Sequence, residues 1–395
     1  MPTLKISGFK FAGVACGIKK SKKRDLALIF SERPAAAAAL FTTNRIKSPA
    51  VLVGMKRVRK GKVQAVVINS GNANACTGAQ GLRDAEAVCR KTAAVLGIDP
   101  MLVVPSSTGI IGVPLPMDKL IAGVATAATR LSTAEFNHAA EAILTTDRFI
   151  KVSSATCMAG GKKIRIAGMV KGAGMIAPNM ATMLAYILTD AAVEPGCLRF
   201  MLREAANVTF NSVTVDGDMS TNDTVLILAN GFANNSPVKH GSKDEAVFLK
   251  KVQAVMQELA LRLVEDGEGA TKVVEIRVEG AKTFRDAKKI ANCVARSQLV
   301  KTAFYGEDPN FGRVMCAVGY AGVRIQPEKI DLLFDRVAVV RKGVGIAALE
   351  KQAARVLKRP SFAVTIRLGL GNESASVWTS DLSHEYVRIN SAYRT

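Results

Sequence analysis

Short β-rich runs alternate with helix-period runs along the whole chain, and this alternation limits the fold more than any other feature. DLALIF (25–30), KVQAVVIN (62–69), TVLILANG (224–231), KVVEIRVEG (272–280), IDLLFD (330–335) and FAVTIRLGLG (362–371) read as strands, bounded by Gly, Asn or basic residues. Apolar residues recur at helical spacing over 83–97, 132–146, 197–210, 243–265 and 285–300. Several of these segments open near a Ser, Thr or Asp, as an N-cap requires. AAAAAL (35–40) lies between FSERP and FTTNR and reads as a buried strand or turn of small residues rather than a linker. No short-period repeat occurs, which removes solenoids and propellers. The mixed order predicts α/β or α+β layers, sheets covered by helices. A chain of 395 residues suffices for two lobes or one large α/β body.

The formal net charge is +21, concentrated in part in KKSKKR (19–24) and KRVRKGK (56–62). Aromatics are only 5% of the chain and interleave neither run, so stacking platforms for single-stranded nucleic acid are scarce. Both runs read as solvated loops or strand edges, and a nucleic-acid partner is not expected. The seven cysteines are widely spaced with no C-x-x-C, which points away from a disulfide framework or zinc site and toward a reducing compartment. The N-terminal stretch lacks a signal-type apolar core, and no run of about 18 charge-free apolar residues appears. A cytoplasmic protein without a membrane span is expected.

Most familiar catalytic apparatus is missing. There are three histidines, His138, His240 and His384, and none is placed by its context beside a nucleophile. DGDMSTNDTVLI (216–227) starts like a calcium loop, but Thr221 stands at position six and Ile227 at position twelve. Neither a P-loop nor a GxGxxG opening a helix is present, so neither a metal nor a tightly bound nucleotide cofactor is expected.

Four hydroxyl- and glycine-rich segments remain. In VVPSSTGIIGVPLP (103–116) a strand-like run ends at Ser106, Ser107, Thr108 and Gly109 and then turns. A Thr-Gly pair there can aim a hydroxyl and a backbone N–H at one point, as an oxyanion hole requires; an ordinary turn is the competing reading. In KGAGMIAPNMATML (171–184), Gly172 and Gly174 permit unusual backbone angles and Pro178 stiffens the approach to Asn179. The small Ala181 leaves its carbonyl open to the Thr182 hydroxyl. Attack there would give an ester by N-to-O acyl shift, and water would then free Thr182 as a new N-terminus. Its α-amine, with an ordinary pKa of about 8, could serve as base to its own hydroxyl. A plain strand threonine is the alternative. VEDGEGATK (264–272) places Glu268 between two glycines, suiting either a loop that offers an acid to a cationic ligand or an exposed turn. The terminal RINSAYRT follows the strand-like HEYVRI and is compatible with a docked tail.

Together KGAGMIAPNMATML, SSTGIIG, VINSGNANACTG (67–78), NSVTVDGDMSTNDTV (211–225), DGEGATK (266–272), GEDPNFGRV (306–314) and INSAYRT resemble, in order and over nearly the whole chain, the ornithine acetyltransferase (glutamate N-acetyltransferase) family of arginine biosynthesis. The resemblance implies an ornithine acetyltransferase/DmpA-like layered α/β fold and self-cleavage between Ala181 and Thr182. The products would be an α chain, 1–181, and a β chain, 182–395, intertwined and paired as an α2β2 heterotetramer. It implies Thr182 as nucleophile, Thr108 and Gly109 as oxyanion pair, and substrate contacts at Thr145, Lys171, Thr182, Glu268, Asn390 and Thr395. The implied reaction is ping-pong: acetyl passes from N2-acetylornithine to Thr182 and then to glutamate. Some members also take acetyl from acetyl-CoA, as a substrate rather than a bound cofactor. Ser212, Met219, Phe311 and Pro105 depart from the family pattern, and none falls on an implied contact. A self-cleaving aminopeptidase of related fold is the alternative, which DGEGATK and INSAYRT argue against.

Overall fold

The computed structural model describes residues 4–177 and 183–392. Its strands in chain order are β1 (Phe9–Val14), β2 (Leu26–Phe41), β3 (Lys62–Asn72), β4 (Val103–Ile110), β5 (Lys151–Ala159), β6 (Lys162–Lys171), β7 (Leu184–Thr189), β8 (Val213–Thr214), β9 (Thr224–Ala229), β10 (Val273–Ala281), β11 (Asp331–Phe334), β12 (Val337–Arg341), β13 (Val344–Gly345), β14 (Ser361–Arg367) and β15 (Glu373–Ser380). They form two sheets among the described residues: β4-β3-β2-β9-β7-β6-β5, with β1 also on β2, and β13-β12-β11-β14-β10-β15-β8.

The first sheet is folded over on itself at β2. Leu26–Phe30 pair with Asn69–Ala65 of β3, the register then shifts, and Ala36–Phe41 pair with Ala229–Thr224 of β9. The break spans Ser31–Pro34, where Pro34 has no N–H to give the ladder and Glu32, Arg33 and Pro34 are exposed. The two halves of β2 belong to two layers. Ala27 and Ile29 pack with Val66, Ile68 and Val104 from one layer and with Ala37, Met169, Tyr186, Leu226 and Leu228 from the other, forming a core between them. The outer face of the second layer carries Ala38, Ile166, Ile187 and Ile227 against helices Pro195–Val208 and Lys243–Glu265. The outer face of the first layer, through Leu28, Ala65 and Val67, meets helices Gly78–Leu96 and Met117–Thr129. The alanine run is therefore a strand buried between partners, and helices cover the doubled sheet on both sides.

The second sheet has its own core, formed by Ile276, Val364 and Val377 beneath helices Phe284–Ala295 and Phe311–Gly319. Parallel pairing of β8 with β15, Val213 opposite Trp378, joins the lobes.

The six strand segments read from the sequence all fall in strands, with ends shifted by a few residues. Several local expectations change, among them the 132–146 segment, which holds only the short helix Phe136–Ala142. The 285–300 helix is interrupted, ending at Ala295 and restarting as Gln298–Tyr305 with Ser297 as its cap. HEYVRI is the start of a helix, His384–Ala392, rather than a strand. The 56–62 run is not wholly solvated: Arg57 is buried and donates to the Pro100 carbonyl at 2.8 Å. No described helix is long and apolar enough to cross a membrane.

Helix Lys243–Glu265 is seated by Phe248, Val252, Val255, Met256 and Leu259, all fully buried against the second layer. Truncating Phe248 to Ala removes a ring and leaves a cavity, so the expected loss is about 3–5 kcal/mol in a denaturant titration.

Candidate active site

Because β2 doubles back, the far ends of β3 and β4 in one layer come beside the end of β6 and the starts of β7 and β9 in the other. Lys171 closes β6 opposite Leu184, and Leu184 lies opposite Thr224. The Asn222 amide spans the layers, donating to the Ala73 carbonyl at 2.7 Å and to the Ser107 carbonyl at 2.8 Å. A cavity of about 130 Å³ opens at this seam, lined by Thr108, Gly109, Thr145, Lys171, Glu268 and Asn390, together with Met175, Asp216, Asp218 and Tyr386. Six of the expected site residues thus meet in one place, drawn from five separate segments. Ala181, Thr182 and Thr395 lie outside the described residues; the flanking described residues, Ala177 and Met183, are buried.

Thr108 and Gly109 belong to β4 itself rather than to a turn after it. Gly109 has φ 131°, and a Cβ there would come within 2.3 Å of the Gly71 carbonyl carbon, so only glycine fits. The buried Lys171 ammonium donates to Thr108 Oγ1 at 3.2 Å. That oxygen is acting as an acceptor, which leaves the Thr108 proton to donate elsewhere.

Among the described residues Lys171 has no carboxylate in direct contact. Burial lowers its pKa, while Asp147, Asp223 and Glu268 work to keep it charged. Asp147 is the organiser of this wall. It accepts from the Thr145 N–H at 2.8 Å, the Gly172 N–H at 2.7 Å and Lys151 Nζ at 2.6 Å. Burial would raise its carboxyl, but Lys151 and Lys171 outweigh that and hold it at about 2. Lys151 also pairs with Asp266, which in turn accepts from Arg148 Nε at 3.0 Å.

The opposite wall is acidic. The Glu268 N–H donates to the Ala173 carbonyl at 3.0 Å, and its carboxylate accepts from Asn390 Nδ2 at 2.8 Å. A Cβ on Gly174 would sit 2.5 Å from the Glu268 carboxylate, so this glycine is required for space, not for backbone angle. Asp216 accepts from the N–H groups of Met175 at 2.6 Å and Ile176 at 2.9 Å, holding Met175 in the left-handed region at φ 55°. Burial pushes the Asp216 carboxyl up to about 6. Tyr386 and Asn390 come from helix His384–Ala392, anchored just before its start where Ser383 Oγ donates to the Gly269 carbonyl at 2.6 Å; the last three residues of RINSAYRT lie outside the described residues. None of the three histidines lines the cavity.

Sequence reasoning missed Asp147 and Asp216. Asp147 stands two residues after Thr145 in TTD, and Asp216 was absorbed into the failed calcium-loop pattern. A carboxylate whose work is to accept backbone N–H groups carries no spacing signal of its own.

A family model described as ArgJ family matches residues 10–395. The chain belongs to the ArgJ family. It is 48% identical over 393 residues to the arginine biosynthesis bifunctional protein ArgJ of Geobacter sulfurreducens, covering 99% of this chain and 100% of that protein. The protein of the same name from Thermotoga neapolitana is 44% identical over 394 residues, covering 98% of this chain and 99% of its own length. A crystal structure of arginine biosynthesis bifunctional protein ArgJ from Bacillus halodurans aligns at 38% identity with a TM-score of 0.51, covering 53% of this chain and 98% of that one. The layered fold and the enzyme class implied by the motifs agree with these findings: this ArgJ-family chain is an acyltransferase of arginine biosynthesis.

Asp147 has a folded-state pKa below its ordinary value of 3.8, so its ionisation stabilises the fold above that pH. The contribution is lost as pH falls from about 4 toward 2. Asp147→Asn is expected to cost about 3–5 kcal/mol near neutrality, since it strips a buried ion pair of one partner. The stability gap between the two proteins should close on acidification, as read by urea titrations at stepped pH.

Proposed function

We propose that the cavity transfers acetyl from N2-acetylornithine to glutamate through an acetyl ester on Thr182, freed by cleavage of the Ala181–Thr182 bond. The observation that carries this is the convergence of Thr108, Gly109, Thr145, Lys171, Glu268 and Asn390 on one cavity. Its two walls match the two ends of the substrates. Lys171 offers the cationic side to a carboxylate, and Glu268 offers the anionic side to the ornithine ammonium. Thr108 then gives its proton, and Gly109 its N–H, to the tetrahedral oxyanion formed at each acyl step. With Lys171 already seated on Thr108 Oγ1, that donor is oriented before substrate arrives.

Cleavage before Thr182 leaves the doubled sheet intact, because β9 of the second fragment pairs with β2 of the first, and β7 pairs with β6. The two products would stay one body, consistent with residues 1–181 and 182–395 acting as intertwined α and β chains and assembling as α2β2. The Bacillus halodurans chain, almost wholly covered while matching just over half of this one, has the size expected of such a fragment. Relatives carrying the word bifunctional in their names favour acetyl-CoA as a second acetyl donor for glutamate. Acetyl-CoA would be a substrate here, and the reaction as drawn uses no bound cofactor and takes place in the cytoplasm.

Intact-mass measurement on purified protein is expected to give two fragments, 1–181 and 182–395, with threonine at the new N-terminus. Incubation with N2-acetylornithine alone should add one acetyl group to the second fragment, and glutamate should remove it. An uncut chain that makes N-acetylglutamate from N2-acetylornithine would overturn the mechanism. Thr108→Val should leave cleaved protein with kcat lower by about 10²–10³, the usual cost of one oxyanion donor.

A further inference from the structure

We propose that Asp223 carries the proton during the self-cleavage that frees Thr182. This rests on the threonine-nucleophile reading above and concerns a step that the reading leaves without a proton carrier. Once cleaved, Thr182 has an α-amine to serve its hydroxyl. Before cleavage that nitrogen is an amide, which cannot act as a base at neutral pH. Some other group has to take the hydroxyl proton and supply one to the departing nitrogen.

Asp223 is placed for this by strand register. It precedes β9, whose first residue, Thr224, lies opposite Leu184, and the Thr224 N–H donates to the Met183 carbonyl at 3.0 Å. Asp223 therefore stands beside Met183, the residue that follows Thr182. From the other side the Thr42 N–H donates to the Asp223 carbonyl at 3.0 Å, which fixes the backbone. The side chain is 1% exposed, and neither carboxyl oxygen has a hydrogen-bond partner among the described residues. A buried carboxyl with both oxygens uncommitted costs free energy, unlike Asp147 and Asp216, whose oxygens are taken by N–H groups and, for Asp147, an ammonium. Its surroundings are the Met183 N–H, Lys171 from β6 and the hydroxyls of Thr42 and Ser220; the Thr42 proton is already given to the Ser220 carbonyl at 2.8 Å. Lys171, a cation facing it, is itself engaged with Thr108. Burial pushes the Asp223 carboxyl well above the ordinary carboxylate range, against the opposing pull of Thr42, Lys171, the Met183 N–H and Ser220.

The step balances with this one group. Thr182 Oγ adds to the Ala181 carbonyl carbon, the Ala181–Thr182 C–N bond breaks, and an ester forms. One carboxyl oxygen of Asp223 gives its proton to the threonine nitrogen while the other takes the hydroxyl proton, so the carboxyl ends as it began. Water then cleaves the ester, its OH going to the Ala181 acyl carbon and its proton to Thr182 Oγ.

The test follows cleavage by intact mass, from synthesis onward, in the full-length wild type, Asp223→Asn and Asp223→Glu, with circular dichroism and thermal melting to confirm folding. Asparagine keeps the shape but cannot exchange a proton; glutamate keeps the acid. Support is a cleaved wild type, a folded Asp223→Asn whose cleavage is slower by about 10²–10⁴, and an Asp223→Glu that cleaves faster than Asp223→Asn. A cleaved wild type with Asp223→Asn cleaving equally fast overturns this proposal alone. So does equal failure of the Asn and Glu variants, which marks a purely structural role. A wild type that stays whole overturns this proposal together with the nucleophile reading.

Discussion

The doubling-back of β2 is the constraint on which the site depends. Pro34 interrupts the ladder, Ser31 Oγ donates to the Arg33 carbonyl at 2.7 Å, and Arg33 reaches across to the Asn230 carbonyl at 2.7 Å while its guanidinium stacks 4.2 Å from the Phe232 ring. Four exposed or turn-forming residues thus send one strand into two layers. Each layer buries one face against the other and one against helices, so both are apolar on both sides. That arrangement brings ends of strands far apart in sequence to one seam, and the seam holds the cavity.

The seam is tied together by buried charge. Asp147, Lys151 and Asp266 have fully buried side chains, and Lys171 is nearly so. Such groups are costly unless each finds its partners, so the cluster tolerates few alternative arrangements. It joins the 145–151 segment, the end of β6 and the loop that carries Glu268. Their relative positions are set by electrostatics where apolar packing could slide by an ångström. Under the proposed reaction the site must hold an oxyanion donor in place, which gives it reason to be built this way.

The doubled sheet was only partly legible from residues. Long apolar strands such as 62–69 and 224–231 were readable because both faces are buried, and helix 243–265 because its period is sustained over many turns. HEYVRI misled because six residues can satisfy a period of two and a period of 3.6 alike, and docking beside Gly269 decided for the helix. The fold-over at Ser31–Pro34 was invisible as topology: FSERP signals a break but not which layers it joins. Gly174 was read as permitting an unusual backbone angle, whereas the Glu268 carboxylate lying on it is a long-range contact that no local pattern encodes. The motif resemblance supplied the meeting of Thr108 with Lys171; local chemistry alone had favoured an ordinary turn.

The division of charge across the cavity bears on how one small site can serve two amino acids in turn. Lys171 is spent on Thr108 Oγ1 rather than on a carboxylate, so its positive charge is available to the oxyanion and to a substrate carboxylate at once. Asp147, held ionised, opposes the loss of charge that burial favours at that lysine. Across the cavity Glu268 is held by the Asn390 amide, and Asp216 is spent on backbone N–H groups, so Glu268 is the acid better able to answer an ammonium. Under the proposed reaction, ornithine presents a cationic side chain to that wall and glutamate an anionic one. The acidic wall therefore favours the donor and has to tolerate the acceptor, and the exposed position of Asn390 on a docked helix makes this wall the more adjustable of the two. Donor and acceptor would then share the Lys171–Thr108 side, where the chemistry is common to both half-reactions, and differ on the Glu268 side, where only their side chains differ.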